Sequence, residues 1–216
     1  MVRGVNDRTE VLRAERVAST EQRLIAAATD LFLRHGYAGT TLAAVAAAAG
    51  VAPRTVYLRF STKVDLFRRV MDVAVVGDTA PVDLAHRDWM RRALTAPTLE
   101  ERMQVAIRGA GEMLARVGPL LPVAEQAAAA EPQIARAAQA GRDDTRDQIR
   151  RFWTQAAADG LLPAGVDLDW LADTAGILGS ADTFLHICRT AGWTADAYEL
   201  WLLTTWRRLL ASADDA

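Results

Sequence analysis

The residues most able to do chemistry lie just after Pro53. If that stretch is helical, Val51 and Val56 turn inward, and Arg54, Thr55, Tyr57, Leu58 and Arg59 are left on the outer face. That face offers guanidinium, hydroxyl and phenol donors, and no carboxylate occurs anywhere from Leu31 to Val64. Such donors suit a polyanion. An arginine fork can bond bidentately to the O6 and N7 edge of guanine, and hydroxyl groups can hold phosphate oxygens. The charge balance agrees. Residues 1–70 hold eleven basic and six acidic residues, whereas the remainder holds 14 and 21, although the formal net charge of the chain is only −2. A cationic head on an anionic body is the electrostatic footprint of a nucleic-acid contact. Of the 25 basic residues only Lys63 is lysine. An ammonium is a compact point charge that one phosphate accepts without fork geometry.

Catalytic and metal chemistry finds little support. His35, His86 and His186 are far apart and show no ligand spacing. Cys188 falls on an apolar helical face, which reads as core, and a lone cysteine excludes an internal disulfide. Phosphate-binding glycine loops, nucleophile elbows and paired-histidine motifs are missing from the sequence. The chain is therefore expected to be no enzyme and to use no cofactor or metal. Residues 1–20 are too polar for a signal peptide, and the longest apolar run, Leu42–Ala52, is too short to span a bilayer. A cytoplasmic location without membrane contact is the expectation.

The elements that must hold the basic face are helices. With 216 residues, 51% of them apolar, the chain can bury a sizeable core. Ser19 and Gln22 have capping-box spacing, and Leu24, Ala28, Leu31, Phe32 and His35 then share a face up to a stop at Gly36. Thr40 or Thr41 opens a second helix carrying Leu42, Val45, Ala46 and Ala49, which Gly50 ends. Pro53 suits the first turn of a third helix running to about Phe60. Ser61 or Thr62 opens a fourth that reaches toward Val76. Two short helices around a glycine break form a helix-turn-helix, with Ala46 small because the next helix crosses close to it. Farther on, residues 77–97 read as a mixed stretch. Thr98 caps a helix ending near Gly118, and Pro119 and Pro122 allow only a turn or short helix. Further helices are expected from Ile134 to about Asp159, from Asp167 or Asp169 through Cys188, and from Thr194 through Leu209.

Thr40 to Phe67, TTLAAVAAAAGVAPRTVYLRFSTKVDLF, resembles the tetracycline-repressor-like (TetR) family of bacterial regulators. The resemblance rests on the Thr-Thr opening, Ala-Gly-Val at the turn, Thr-x-Tyr in the third helix, Phe60, and Lys63 followed by Leu66. With the first helix it covers residues 19–67. It implies that Thr41, Thr55, Tyr57 and Lys63 touch phosphates, and that Arg54 and Arg59 read bases. One departure is Ala52, where many members carry Ser or Thr, a lost cap costing about 1 kcal/mol.

The expected architecture is all-α. An arm over residues 1–18, or a frayed extension of the first helix, leads to a three-helix DNA-binding domain over 19–67 and a ligand-binding and dimerisation domain over 68–216. Aromatics in the last of these read first as core. The resemblance adds a second reading, in which Trp89, Phe152, Trp153, Trp170 and Phe184 line a cavity for a small effector. The last two helices are apolar around a broad face, with Gly176, Gly179 and Ser180 allowing close approach, and the resemblance implies that they pair with their copies in a homodimer. The functional expectation is a dimeric repressor released from double-stranded operator DNA by a small molecule. The alternatives are an effector-independent regulator or activator, or a helical protein-interaction adaptor.

Overall fold

The computed structural model describes residues 3–80 and 84–211. Within them the regular structure is helical: α1 (Arg3–Gly39), α2 (Leu42–Ala49), α3 (Pro53–Arg59), α4 (Lys63–Val76), α5 (Asp88–Thr95), α6 (Leu99–Val117), α7 (Leu121–Ala130), α8 (Pro132–Ala158), α9 (Leu168–Leu178), α10 (Ala181–Ala191) and α11 (Ala195–Ala211). None is long and apolar enough to cross a membrane. Two compact units form, Met1–Pro81 with Pro119–Ala135, and Val82–Gly118 with Arg136–Ala216.

In the first unit, Leu24, Ala28 and Phe32 recur every four residues on α1, so they share one face and are fully buried. They meet Val45 and Ala46 of α2, Val56 of α3, and Leu66, Phe67 and Val70 of α4. Leu120, Val123, Ala124 and Ala127 complete the core, so the expected 19–67 segment lies inside a larger unit that includes the rest of α4 and α7. Phe67 stands edge-on to both Phe32 and Tyr37, with ring centroids 4.9 and 5.5 Å apart.

The helix boundaries follow from caps. Ser19 does not start a helix: α1 already runs from Arg3, through most of the stretch expected as an arm, while Met1 and Val2 lie outside the described residues. Gly36 leaves helical geometry at φ 68°, where other residues are strained, and His35 beside it is exposed rather than on the core face. Thr40 is buried and its hydroxyl donates to the Gly36 carbonyl at 2.9 Å, which leaves Thr41 to cap α2 by accepting from Ala44 N–H at 3.1 Å. Thr62 and Asp65 form a reciprocal capping box at the start of α4.

In the second unit, Met103, Ile107 and Leu114 of α6 pack with Phe152 and Trp153 of α8, Leu171 and Ala175 of α9, and Tyr198, Leu202 and Trp206 of α11. Two features depart from the sequence reading. The mixed stretch contains α5, whose Trp89 covers Gly109 of α6 so closely that an added Cβ would lie 2.3 Å from the ring. The helix expected through Cys188 is broken at Gly179 and Ser180. Ser180 is extended and caps α10 by accepting from Thr183 N–H at 3.1 Å, while Gly179 faces the Ala175 carbonyl and Ile149.

Candidate nucleic-acid interface

The turn between α2 and α3 is built from both sides. Gly50 sits in the left-handed region at φ 64°, its N–H bonds Ala47 O at 3.1 Å, and Val51 N–H bonds Ala46 O at 3.0 Å. This is the paired bonding of a Schellman motif and ends α2 sharply. Arg23 of α1 donates to the carbonyls of Ala49 and Gly50, so orphan acceptors at the end of α2 are met by a charged donor. Nothing local in the sequence announces that role for Arg23.

Helix α3 has seven residues and is held by Val56, which is fully buried, and by Phe60 behind it. Its start carries no side-chain cap, as Ala52 implies. Arg54, Tyr57, Leu58 and Arg59 are exposed, Thr55 is half-buried, and Tyr57 and Leu58 remain 55% and 77% accessible. The sequence reading put Leu58 on this face without assigning it a contact.

The named residues differ in how free they are. Arg54 has no side-chain partner among the described residues. Arg59 instead pairs with Glu21 of α1, whose other oxygen accepts from Arg69 Nε at 2.8 Å. Lys63 is half-buried, with its ammonium donating to the Tyr37 carbonyl at 2.8 Å and lying 4.2 Å from the centre of the Tyr37 ring. Two of its three donors remain for a phosphate. Tyr37 in turn donates from its hydroxyl to Glu131 at 3.2 Å. Burial first, then the Glu131 hydrogen bond and charge, push the Tyr37 phenol far above its usual range, so it stays a donor.

The aromatics named as cavity lining are only partly gathered. Phe152 and Trp153 are buried against Trp206, with Trp153 and Trp206 ring centroids 5.0 Å apart. Phe184 stands edge-on to Tyr198. Trp89 is spent on Gly109, and Trp170 is 52% exposed, apart from the rest. The indole Nε1 donors of Trp153 and Trp206 are buried without an acceptor among the described residues.

A helix-turn-helix whose outer helix turns donors to solvent is the form of a class, the DNA-binding transcriptional regulators. Residues 24–70 match the family model for bacterial regulatory proteins of the tetR family. No curated protein sequence matches the chain. Among solved structures, a TetR-like transcriptional regulator from Rhodococcus sp. RHA1 has 20% identity and a TM-score of 0.62, covering 90% of this chain and 97% of its own. MexZ, described as a key repressor responsible for antibiotic resistance in Pseudomonas aeruginosa, has 20% identity and a TM-score of 0.59, over 90% and 94%. A SmeT–triclosan complex has 22% identity and a TM-score of 0.66, over 87% and 90%. At such identities the likeness is one of fold along nearly the whole chain.

Proposed function

We propose that the chain is a homodimeric repressor that places α3 of each subunit in the major groove of a near-palindromic operator. The outward, uncarboxylated face of α3, with Arg54 unpaired among the described residues, carries this reading. Arg54 reads a base edge, Arg59 a second one once released from Glu21, and Thr41, Thr55, Tyr57 and Lys63 position the helix on phosphates.

Dimerisation falls to residues 68–216. Ile177 and Leu200 are 68% and 67% accessible, Trp170 is exposed on α9, and Trp193 is exposed in the link between α10 and α11. Large apolar groups in contact with water at these positions support pairing with a second copy. A two-fold dimer presents two recognition helices about 34 Å apart, one turn of duplex.

The effector is a small, mainly apolar molecule bound within the second unit near Phe152, Trp153 and Phe184. The orphan indole donors of Trp153 and Trp206 suit a carbonyl or hydroxyl oxygen on it. The solved SmeT–triclosan complex, a similar fold, supports the same reading. Linkage requires that operator DNA weaken effector binding by the factor by which effector weakens operator binding. One observation favours an effector-independent regulator instead: Phe152, Trp153 and Trp206 already pack against one another.

Selection of bound duplexes from a random pool tests the main reading. A recovered palindrome with half-sites one turn apart is the expected result. Recovery of no sequence preference contradicts operator recognition. A melting screen against apolar small molecules separates the effector readings, since a ligand that binds only the folded state must raise the melting temperature.

A further inference from the structure

We infer that Glu21 is a specificity-determining residue of the DNA-binding surface, its carboxylate competing for Arg59 with the phosphates of a non-cognate duplex and with a base edge of the operator. The inference rests on the DNA-binding reading above and deepens it.

Three elements converge here. Glu21 lies on α1, Arg59 at the end of α3 and Arg69 on α4, and one carboxylate holds both guanidinium groups. The two arginines are not equivalent. Arg69 is also tied to the Thr79 carbonyl at 3.2 Å, so its charge is committed within the fold. Arg59 has Glu21 as its sole side-chain partner among the described residues and is 38% exposed, at the edge of the face that Tyr57 and Leu58 define. Glu21 itself is only 16% exposed. It is the one carboxylate hydrogen-bonded to α3 among the described residues. Burial raises its affinity for a proton, but the hydrogen bonds from Arg69 and Arg59 and their charges outweigh that, so the carboxyl sits below its ordinary value and is ionised at neutral pH.

A duplex that takes Arg59 must therefore leave a half-satisfied, partly buried carboxylate beside its own phosphates. A non-cognate duplex, which gains only phosphate contacts, has little to set against that cost. A cognate duplex offsets it with the base contacts of Arg54 and of the released Arg59. Specificity arises here from a penalty on the wrong partner rather than from an added contact to the right one.

The test measures affinity for a random-sequence duplex and for the selected operator across a salt series. The variants are Glu21→Gln, Glu21→Asp, Arg59→Gln, and Glu21→Gln combined with Arg59→Gln. The expected result is that Glu21→Gln binds random duplex about tenfold more tightly at low salt, with a salt slope steeper by about 0.9 for one added phosphate contact, while operator affinity changes less. Glu21→Asp keeps the charge and stays near wild type. In the Arg59→Gln background the gain disappears. A gain that survives there reflects general charge removal and overturns the inference, as does random-duplex affinity that is unchanged or lower. Melting curves identify any variant that has failed to fold, and Arg59→Gln alone carries the comparison in that case: little loss on random duplex beside a clear loss on the operator is expected, and an equal loss on both overturns the inference, because an Arg59 held by Glu21 gives random duplex little. Failure of the wild-type chain to bind any duplex would be a separate outcome, overturning the DNA-binding reading and this inference with it.

Discussion

At the scale of single residues, freedom and not charge alone separates the cations near α3. Among the described residues Arg54 has no side-chain partner, Arg59 is held by a carboxylate and Lys63 is anchored to a backbone carbonyl. Arg54→Ala should cost about 1–3 kcal/mol on the operator and relax preference at one position. Lys63→Ala should weaken binding on every sequence and flatten the salt slope by about one. Anisotropy titrations on operator and random duplexes separate the two, and equal losses on all sequences for both variants contradict the assignment. In the second unit, Glu199 lies against Gly111. Burial first, then Asp196 and Glu112, push its carboxyl above the ordinary value, against the pull of Arg108. A group with a raised folded value favours folding while protonated, and that contribution is lost as pH rises through the folded value. Glu199→Gln should therefore raise stability at pH 7 and leave it near wild type below about pH 4. Urea melts at the two pH values check the sign.

At the scale of elements, α3 is the weakly supported piece. It has seven residues, one fully buried side chain and no side-chain cap at its start. Its geometry is imposed by the Gly50 turn, which Arg23 and Val51 hold from either side. Ala52 is extended, as a capping residue should be, so Ala52→Ser can supply an oxygen to the first turn without moving the backbone. It should add about 1 kcal/mol of stability. Gly50→Ala works the other way, forcing a Cβ into the left-handed region and to 3.1 Å from Arg23, and should lower stability by about 1 kcal/mol or more. Thermal melts read both, and a stabilising Gly50→Ala would refute the account of the turn.

At the scale of the whole molecule, accessible apolar groups on α9 and α11 are the part of the surface that water serves poorly. Ile177→Asp or Leu200→Asp should shift the protein to monomer in sedimentation velocity and weaken operator binding, with monomer melting little changed because neither side chain is in the core. A variant that stays dimeric would move the interface elsewhere. The family match covers residues 24–70, whereas the structural likeness runs the length of the chain. The head is thus recognisable by residue type and spacing, and the body by fold.

Much of the DNA-binding head was legible in the chain itself because its signals are local. Thr41, Gly50, Pro53 and Thr62 act on backbone within a few residues, and the core positions of α1, α2 and α4 recur at helical period. Two elements were not legible: α5 spans barely two turns with neither a side-chain cap nor a proline at its start, and the break at Ser180 interrupts an apolar pattern that continues on both sides of it. The partners of the functional cations were also beyond local reading. Glu21 meets Arg59 across 38 residues and Arg69 across 48, and Tyr37 meets Glu131 across 94. Sequence determined which donors the outer helix carries. Only packing of α1 and α4 around it decided which of those donors are already taken, because an ion pair between distant segments depends on where the chain returns.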